Sequence, residues 1–380
     1  MSTCPVWVEI SLTQLAENYR IVRNHIGPQT ALLAVVKSDA YGHGICEVAT
    51  ALARLGIDWF GVTTAEEGVQ LRRRGISQPI LLLAGFWEGE QSALTDFALV
   101  PAVHSEEQLQ ALEAWGQHIG KRIRFHLKVD TGMGRLGIHW QKVGCFLTAY
   151  SRMAHVELEG LFTHFSAAED FTTQQTERQE ERFHCVEQTL ARAGIHPLYC
   201  HQANSAAIVS RPTTWCNMVR SGLLLYGYQL PVLTTEGSAK PDCCSLPVRE
   251  ILAFKTKIIA VKHVPEGIAL GYSGSYITPR PSRIAAIHAG YADGLDRRLS
   301  GRGKVIICGQ YARIVGNISM NLTLVDVTKI PPVPVGEEVI LIGRQGTSSV
   351  TALEMAEMAG TIPYEVLCGI GKGVPRHYLY

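Results

Sequence analysis

The chain has almost no net charge, no paired-cysteine motif and no long apolar run. Its 380 residues carry 35 basic against 34 acidic side chains, so nothing points to a nucleic acid or to a membrane surface as partner. No apolar stretch reaches the ~20 residues needed to cross a bilayer. The N-terminus, MSTCPVWVEI, lacks a charged segment followed by an apolar one, so no secretory signal is expected. Ten cysteines are scattered without a C-x-x-C pair, and the adjacent Cys243 and Cys244 are poorly placed to serve one metal. Reduced thiols, no metal site and a cytoplasmic location are therefore expected. What is present is 46% hydrophobic residues and only 18% charged ones, the composition of a globular protein with a large core. The length favours two domains.

From residue 31 the sequence alternates short apolar runs with helical patterns. The runs are 31–37, 59–63, 80–85, 98–104, 123–130, 158–165, 198–204 and 217–227. Helices are expected to open at Ser11 with Gln14, Thr64 with Glu67, Ser105 with Gln108 and Thr172 with Gln175, each a hydroxyl followed three residues on by an amide or carboxylate. Eight continuous apolar runs separated by helices predict a parallel sheet covered on both faces. Eight strands is the number that closes a (β/α)8 TIM barrel, with an open doubly wound sheet as the alternative. Near Pro247 the pattern changes to period two, with one helical stretch around Thr351 to Met358. The fold class is thus α/β, with a barrel over 1–246 and a mainly β domain over 247–380. Residues 1–10 are placed to pair with the second domain, and the proline-rich 231–247 reads as the linker.

The densest chemistry lies in AVVKSDAYGHG. Six apolar residues deliver Lys37 into a polar, glycine-rich turn holding Tyr41 and His43. A lysine charge is costly to desolvate, and a lysine whose pKa is lowered by such a site is a nucleophilic amine able to form a Schiff base with an aldehyde. A lysine snorkelling out of a strand end is the plainer alternative. The other strand ends decide between them. In a barrel they share one face, which collects Lys128 with Asp130, His164, Asn204 with Ser205, and Arg220 with Ser221 and Gly222. Ser205 and the amides of Gly222 and Leu223 follow the seventh and eighth strands, where this fold binds phosphate. A phosphorylated cofactor opposite Lys37 is expected. The string Gly132-Met133-Gly134-Arg135-Leu136-Gly137 satisfies G-x-G-x-x-G, but on the fifth strand it does not suit a dinucleotide and is read as a turn that lets Arg135 reach inward. The run Arg72-Arg73-Arg74 reads as a solvated helix end.

The blocks AVVKSDAYGHG, KVDTGMGRLG, THF, NSAA, VRSGLLLYG, GYSGSY, GYADG, GNISM and IPYE, in this order from residue 31 to 366, resemble the alanine racemase family. The resemblance implies a barrel followed by a β domain, and a head-to-tail homodimer in which each site is completed by the other chain's second domain. It implies that Lys37 holds pyridoxal 5′-phosphate and that Tyr41, Ser205, Gly222, Leu223 and Tyr364 hold its phosphate. Arg220 would face the pyridine nitrogen, oriented by His164, and Arg135 would bond the phenolic oxygen. Lys128 matches a lysine that is often carbamylated. The two bases would be Lys37, acting on the D-enantiomer, and Tyr272, acting on the L-enantiomer. The Met320 amide would contact the substrate carboxylate, and Tyr291 and Arg297, with Tyr364, would line the access channel. The implied activity is interconversion of L- and D-alanine, supplying D-alanine for peptidoglycan. Serine or broad-specificity racemisation and non-catalytic cofactor carriage are the alternatives. One position departs from the family: Asn321 stands where an aspartate is usual, which bears on substrate breadth.

Overall fold

The computed structural model describes residues 4–235 and 245–380, so part of the expected linker, with Cys243 and Cys244, lies outside the described residues. The chain divides into two compact units.

The first unit comprises 15–38 and 45–249. Its eight strands lie in the order Met218–Ser221, Ala31–Val35, Trp59–Val62, Ile80–Leu82, Leu99–Val103, Ile123–Asp130, Val156–Phe162 and Tyr199–His201, every neighbouring pair parallel. The Arg220 amide donates to the Ala203 carbonyl at 3.0 Å and ties the last strand back to the first. The result is a nearly closed barrel. Burial explains the continuous apolar runs: every residue of Trp59–Val62, Ile80–Leu82 and Leu99–Val103 is buried. Strands covered by helices on one side and packed in a barrel on the other have no solvent face to alternate toward.

The helices between strands start where local hydrogen bonding tells them to. Thr64 and Glu67 form a reciprocal capping box, and the Ser105 hydroxyl accepts the Gln108 amide. Thr172 does not cap. The Asp170 carboxylate accepts both its amide and its hydroxyl, and the helix begins later, as Gln175–Arg192. Arg72 is not a solvated charge either: its guanidinium donates to the carbonyls of Ile76, Gln78, Phe97 and Ala98. It ties the end of its helix to the two loops beside it.

The second unit comprises 1–14, 39–44 and 250–380. Its sheet orders Ser348–Val350, Glu338–Gln345, Lys304–Ile307, Gln310–Val315, Thr323–Asp326, Ser282–Ile287, Leu252–Val264, Val6–Ser11 and Arg376–Leu379. A further antiparallel pairing between Leu252–Val264 and Glu338–Gln345 closes six of these strands into a ring. Val6–Ser11 pairs with Leu252–Val264 antiparallel and with Arg376–Leu379 parallel. The first residues of Leu252–Val264 alternate buried and half-buried, the pattern of a strand with one face inward. Thr351 caps the helix Ala352–Ala359, and a second helix, Pro363–Cys368, opens with proline in its first turn.

Candidate active site

Lys37 does not end a strand. The strand stops at Val35, and Lys37 opens a short helical turn, Lys37–Gly42, wound left-handed. Ser38, Asp39, Ala40 and Tyr41 have φ of 54°, 55°, 53° and 56°. Such a conformation costs an L-residue about 1–2 kcal/mol, so the turn exists only because its surroundings hold it. The Ser38 amide donates to Glu67 Oε1 at 2.6 Å. The His43 ring nitrogen Nδ1 lies 2.9 Å and 3.0 Å from the carbonyls of Ala40 and Tyr41, and the Gly44 amide returns to Asp39. Tyr41 is buried with its ring 5.8 Å from that of Tyr364.

Lys37, Lys128, Arg135, His164 and Arg220 form one basic cluster in the barrel unit. Lys128, Arg135, Asp130, Thr163 and His164 line a common cleft. Burial, then the charges of Arg220, Arg135 and Lys37, push the Lys128 amine down to about 8. Burial and the same cations hold His164 well below the ordinary histidine range. Arg220 is 4% exposed, and burial pushes it down to about 10. Its guanidinium has five neutral partners: the carbonyls of Thr163, His201 and Gln202, His201 Nδ1 at 2.9 Å and His164 Nδ1 at 3.3 Å. A buried cation held by neutral acceptors is poised to donate to one more acceptor without passing it a proton.

Ser205 stands at the head of Ser205–Ser210, whose N-terminus Asn204 caps through the Ala207 amide. The Ser205 hydroxyl accepts the amides of Gly222 at 2.9 Å and Leu224 at 3.4 Å, which gathers the loops after the seventh and eighth strands. The G-x-G-x-x-G loop binds its own carboxylate. Asp130 accepts the amides of Gly132, Met133 and Gly134 at 2.9, 3.0 and 3.1 Å. No long helix follows it: the chain continues into Ile138–His139 and the short 3-10 turn Trp140–Lys142. A dinucleotide fingerprint needs free amides at a helix start, so that reading falls.

In the sheet unit Tyr272 opens a 3-10 turn, Tyr272–Gly274, between the paired strands Ala269–Leu270 and Tyr276–Ile277. Asn317 Nδ2 donates to its carbonyl at 3.0 Å. Tyr272, Met320 and Tyr291 are 72%, 57% and 46% exposed. The amides of Tyr291 and Ala292 donate to the carbonyls of Ser319 and Met320, strapping the two loops together. Arg297 begins the next 3-10 turn and is exposed, beside Tyr291 in a cleft that Glu365 also lines. Asn321 follows Met320 and donates to Asp293. Sequence reasoning missed this pairing, the left-handed turn, the Asp130 loop and the two histidines His126 and His201 beside Arg220. Only the histidines left a signal, as polar residues at inward positions of apolar strands.

A nearly closed parallel barrel, with a lysine just past the strand Ala31–Val35, and a closed β unit define a two-domain barrel protein. The chain belongs to the alanine racemase family: the family's N-terminal domain matches residues 10–230 and its C-terminal domain residues 251–378. It is 42% identical over 374 residues to the alanine racemase of Symbiobacterium thermophilum, covering 98% of this chain and 97% of that one. Its fold matches the solved alanine racemase of Clostridium difficile 630 with a TM-score of 0.89 at 33% identity, covering 100% and 97% of the two chains. It also matches the Bartonella henselae enzyme, solved with covalently bound pyridoxal phosphate, with a TM-score of 0.86 at 28% identity over 99% and 100% of the chains.

Proposed function

We infer that this chain is an amino-acid racemase that interconverts L- and D-alanine using pyridoxal 5′-phosphate. The basic cluster around Lys37, in a chain that matches both domains of the alanine racemase family, carries the reading. The residues present fit the cofactor: an amine for its aldehyde, a hydroxyl and amides for its phosphate, and a buried donor for its ring nitrogen. When bound, the cofactor supplies an electron sink that acidifies the substrate's Cα–H.

Racemisation needs two bases on opposite faces, one taking a proton and the other returning one. Lys37 Nζ is one base and Tyr272 Oη, from a second copy of the chain, is the other. Arg220, oriented by His164, donates toward the pyridine nitrogen and keeps its own proton, which limits side reactions that a protonated ring would favour. Arg135 bonds the phenolic oxygen, and Lys128, as a carbamate, orients Arg135. Tyr41, Ser205, Gly222, Leu223 and Tyr364 hold the phosphate. The Met320 amide binds the substrate carboxylate, and Tyr291, Arg297 and Tyr364 keep the access channel narrow. The exposure of Tyr272, Met320 and Tyr291 on a single chain supports a homodimer that covers them.

The product D-alanine would feed peptidoglycan. No helix among the described residues is long and apolar enough to cross a membrane. Asn321, a neutral amide beside Met320, favours a broader specificity that includes serine as the second reading. Borohydride reduction of the cofactor-loaded protein, followed by peptide mapping, tests the assignment. A pyridoxyl group on Lys37 is expected; a label on another lysine, or none, contradicts it.

A further inference from the structure

Four neighbouring barrel strands contribute one polar side chain each to a line buried among apolar residues. Arg220 comes from Met218–Ser221, His201 from Tyr199–His201, Glu159 from Val156–Phe162 and His126 from Ile123–Asp130. Arg220, His201 and His126 are 4%, 0% and 0% exposed. Arg220 Nη1 lies 2.9 Å from His201 Nδ1, and His201 Nε2 lies 2.9 Å from His126 Nδ1. His126 Nε2 faces Glu159 Oε2 at 3.7 Å, and neither atom has a closer hydrogen-bond partner among the described residues. Glu159 Oε1 accepts from Arg124 at 2.7 Å, and Arg124 is more than half exposed.

Donor chemistry fixes the direction of this line. A guanidinium has no acceptor, so His201 Nδ1 must accept and the proton of the neutral ring sits on Nε2. That N–H then donates to His126 Nδ1, which places the His126 proton on Nε2, aimed at Glu159. Burial holds both rings below the ordinary histidine range, so neither carries the second proton that would break the order. Burial alone would raise the Glu159 carboxyl, yet His126 and Arg124 hold it below the usual range, as an acceptor at the end of the line.

The surroundings are shaped for it. The His201 ring stacks on Phe162 at 4.8 Å with 2° between planes. The His126 ring lies across Gly160, where any Cβ would collide with the imidazole. The register of the two strands shifts between Phe125 and His126, at the point where the ring crosses.

We propose that His201, His126 and Glu159 are positioning residues: two one-way hydrogen bonds, with the Glu159 carboxylate facing the far ring nitrogen, fix Arg220 as a donor from inside the barrel wall. With the carboxylate in place, His201 can present only a lone pair to Arg220. With it gone, the buried His126 Nε2 proton faces no acceptor, and the two rings lose the anchor that holds His201 in line with Arg220. The relay itself is a property of the folded barrel; its effect on turnover rests on the reading that Arg220 serves the cofactor.

Neutron diffraction from the deuterated, cofactor-loaded protein tests the relay directly. Deuterium on Nε2 of both His201 and His126, with both Nδ1 atoms bare, is expected; deuterium on Nδ1 of either ring overturns the proposal. Glu159→Leu and Glu159→Gln supply the second arm, read by steady-state kinetics and by the visible spectrum of the bound cofactor. Losing one charge-assisted hydrogen bond at Arg220 should lower kcat about tenfold in Glu159→Leu, with KM little changed and the visible band shifted. Glu159→Gln keeps an acceptor oxygen and should restore both. A Glu159→Leu protein that is merely less heat-stable, with wild-type kcat and spectrum, overturns the positioning role. If Lys37 takes no pyridoxyl group on borohydride reduction, the cofactor reading fails, while the deuterium positions still judge the relay.

Discussion

Asn321 Nδ2 lies 3.2 Å from Asp293 Oδ2, and the same oxygen accepts the Gly290 amide at 3.0 Å. Asp293 thus ties the Gly290 loop to the loop of Met320. The packing there is close enough that a Cβ on Gly290 would overlap the carbonyls of Ser319 and Met320. An amide at 321 donates to this carboxylate, whereas the aspartate usual in the family would set two carboxylates face to face.

Asn321→Asp should therefore destabilise the protein by roughly 1 kcal/mol at pH 8, because a hydrogen bond becomes a like-charge contact. The pair would share a proton more readily than either carboxyl alone, so its folded-state pKa rises. The penalty is then present above that pKa and is relieved as the pH falls to 5. Denaturant midpoints of both proteins at the two pH values check this. An equal difference at both removes the electrostatic explanation.

Tyr272→Phe removes the hydroxyl and leaves the loop, whose backbone is held by Asn317. General acid–base catalysis is worth about 10²- to 10⁴-fold, and kcat should fall by that much while the bound cofactor keeps its colour. Unchanged racemisation would remove Tyr272 from the chemistry.

Lys128, with its amine pushed down to about 8, is neutral in roughly one molecule in ten at pH 7, far more often than an ordinary lysine. A neutral amine adds to carbon dioxide, losing a proton and forming an N–C bond, and the product is an anion among the cations that disfavour the ammonium. Protein prepared in 13C-bicarbonate should show a carbamate carbon resonance that Lys128→Met lacks. A spectrum without it leaves Lys128 as an ordinary buried amine.

Acid should unfold the protein through its buried imidazoles. Burial pushes His43 down to about 4 and lowers His126, His164 and His201. The unfolded chain protonates these rings near pH 6.5, above their folded pKa values, so it binds more protons in this window. Stability is then complete above pH 6.5 and is lost on acidification, at up to about 1.4 kcal/mol per pH unit for each ring. The denaturant midpoint should drop steeply between pH 6.5 and 5. A flat profile would mean that the rings are already charged in the fold.

The barrel was legible because burial leaves its mark on sequence. Strands covered on both sides read as apolar runs, and the Thr64 and Ser105 caps sit where hydroxyl spacing put them. The switch to period two announced the sheet unit for the same reason. What stayed hidden depends on contacts made only after folding. Nothing in KSDAY distinguishes a left-handed turn from an ordinary loop, since its strain is carried by Glu67, His43 and buried packing rather than by a glycine at each position. Thr172 looked like a cap until Asp170, two residues away, took its hydroxyl. The Asp130 loop mimics a phosphate-binding motif because amides that cradle a phosphate also cradle a carboxylate. His126 and His201 are 75 residues apart, and only barrel closure makes them neighbours.

Chiral separation of products, after incubating the purified protein and pyridoxal phosphate with L-alanine or with L-serine, tests the central claim most directly. Rapid approach to a racemic mixture from alanine, with serine slow, is the expected result. Comparable rates on serine would assign a broad-specificity racemase to the same site. No D-alanine at all would contradict the account and leave a barrel that binds its cofactor without turning over an amino acid.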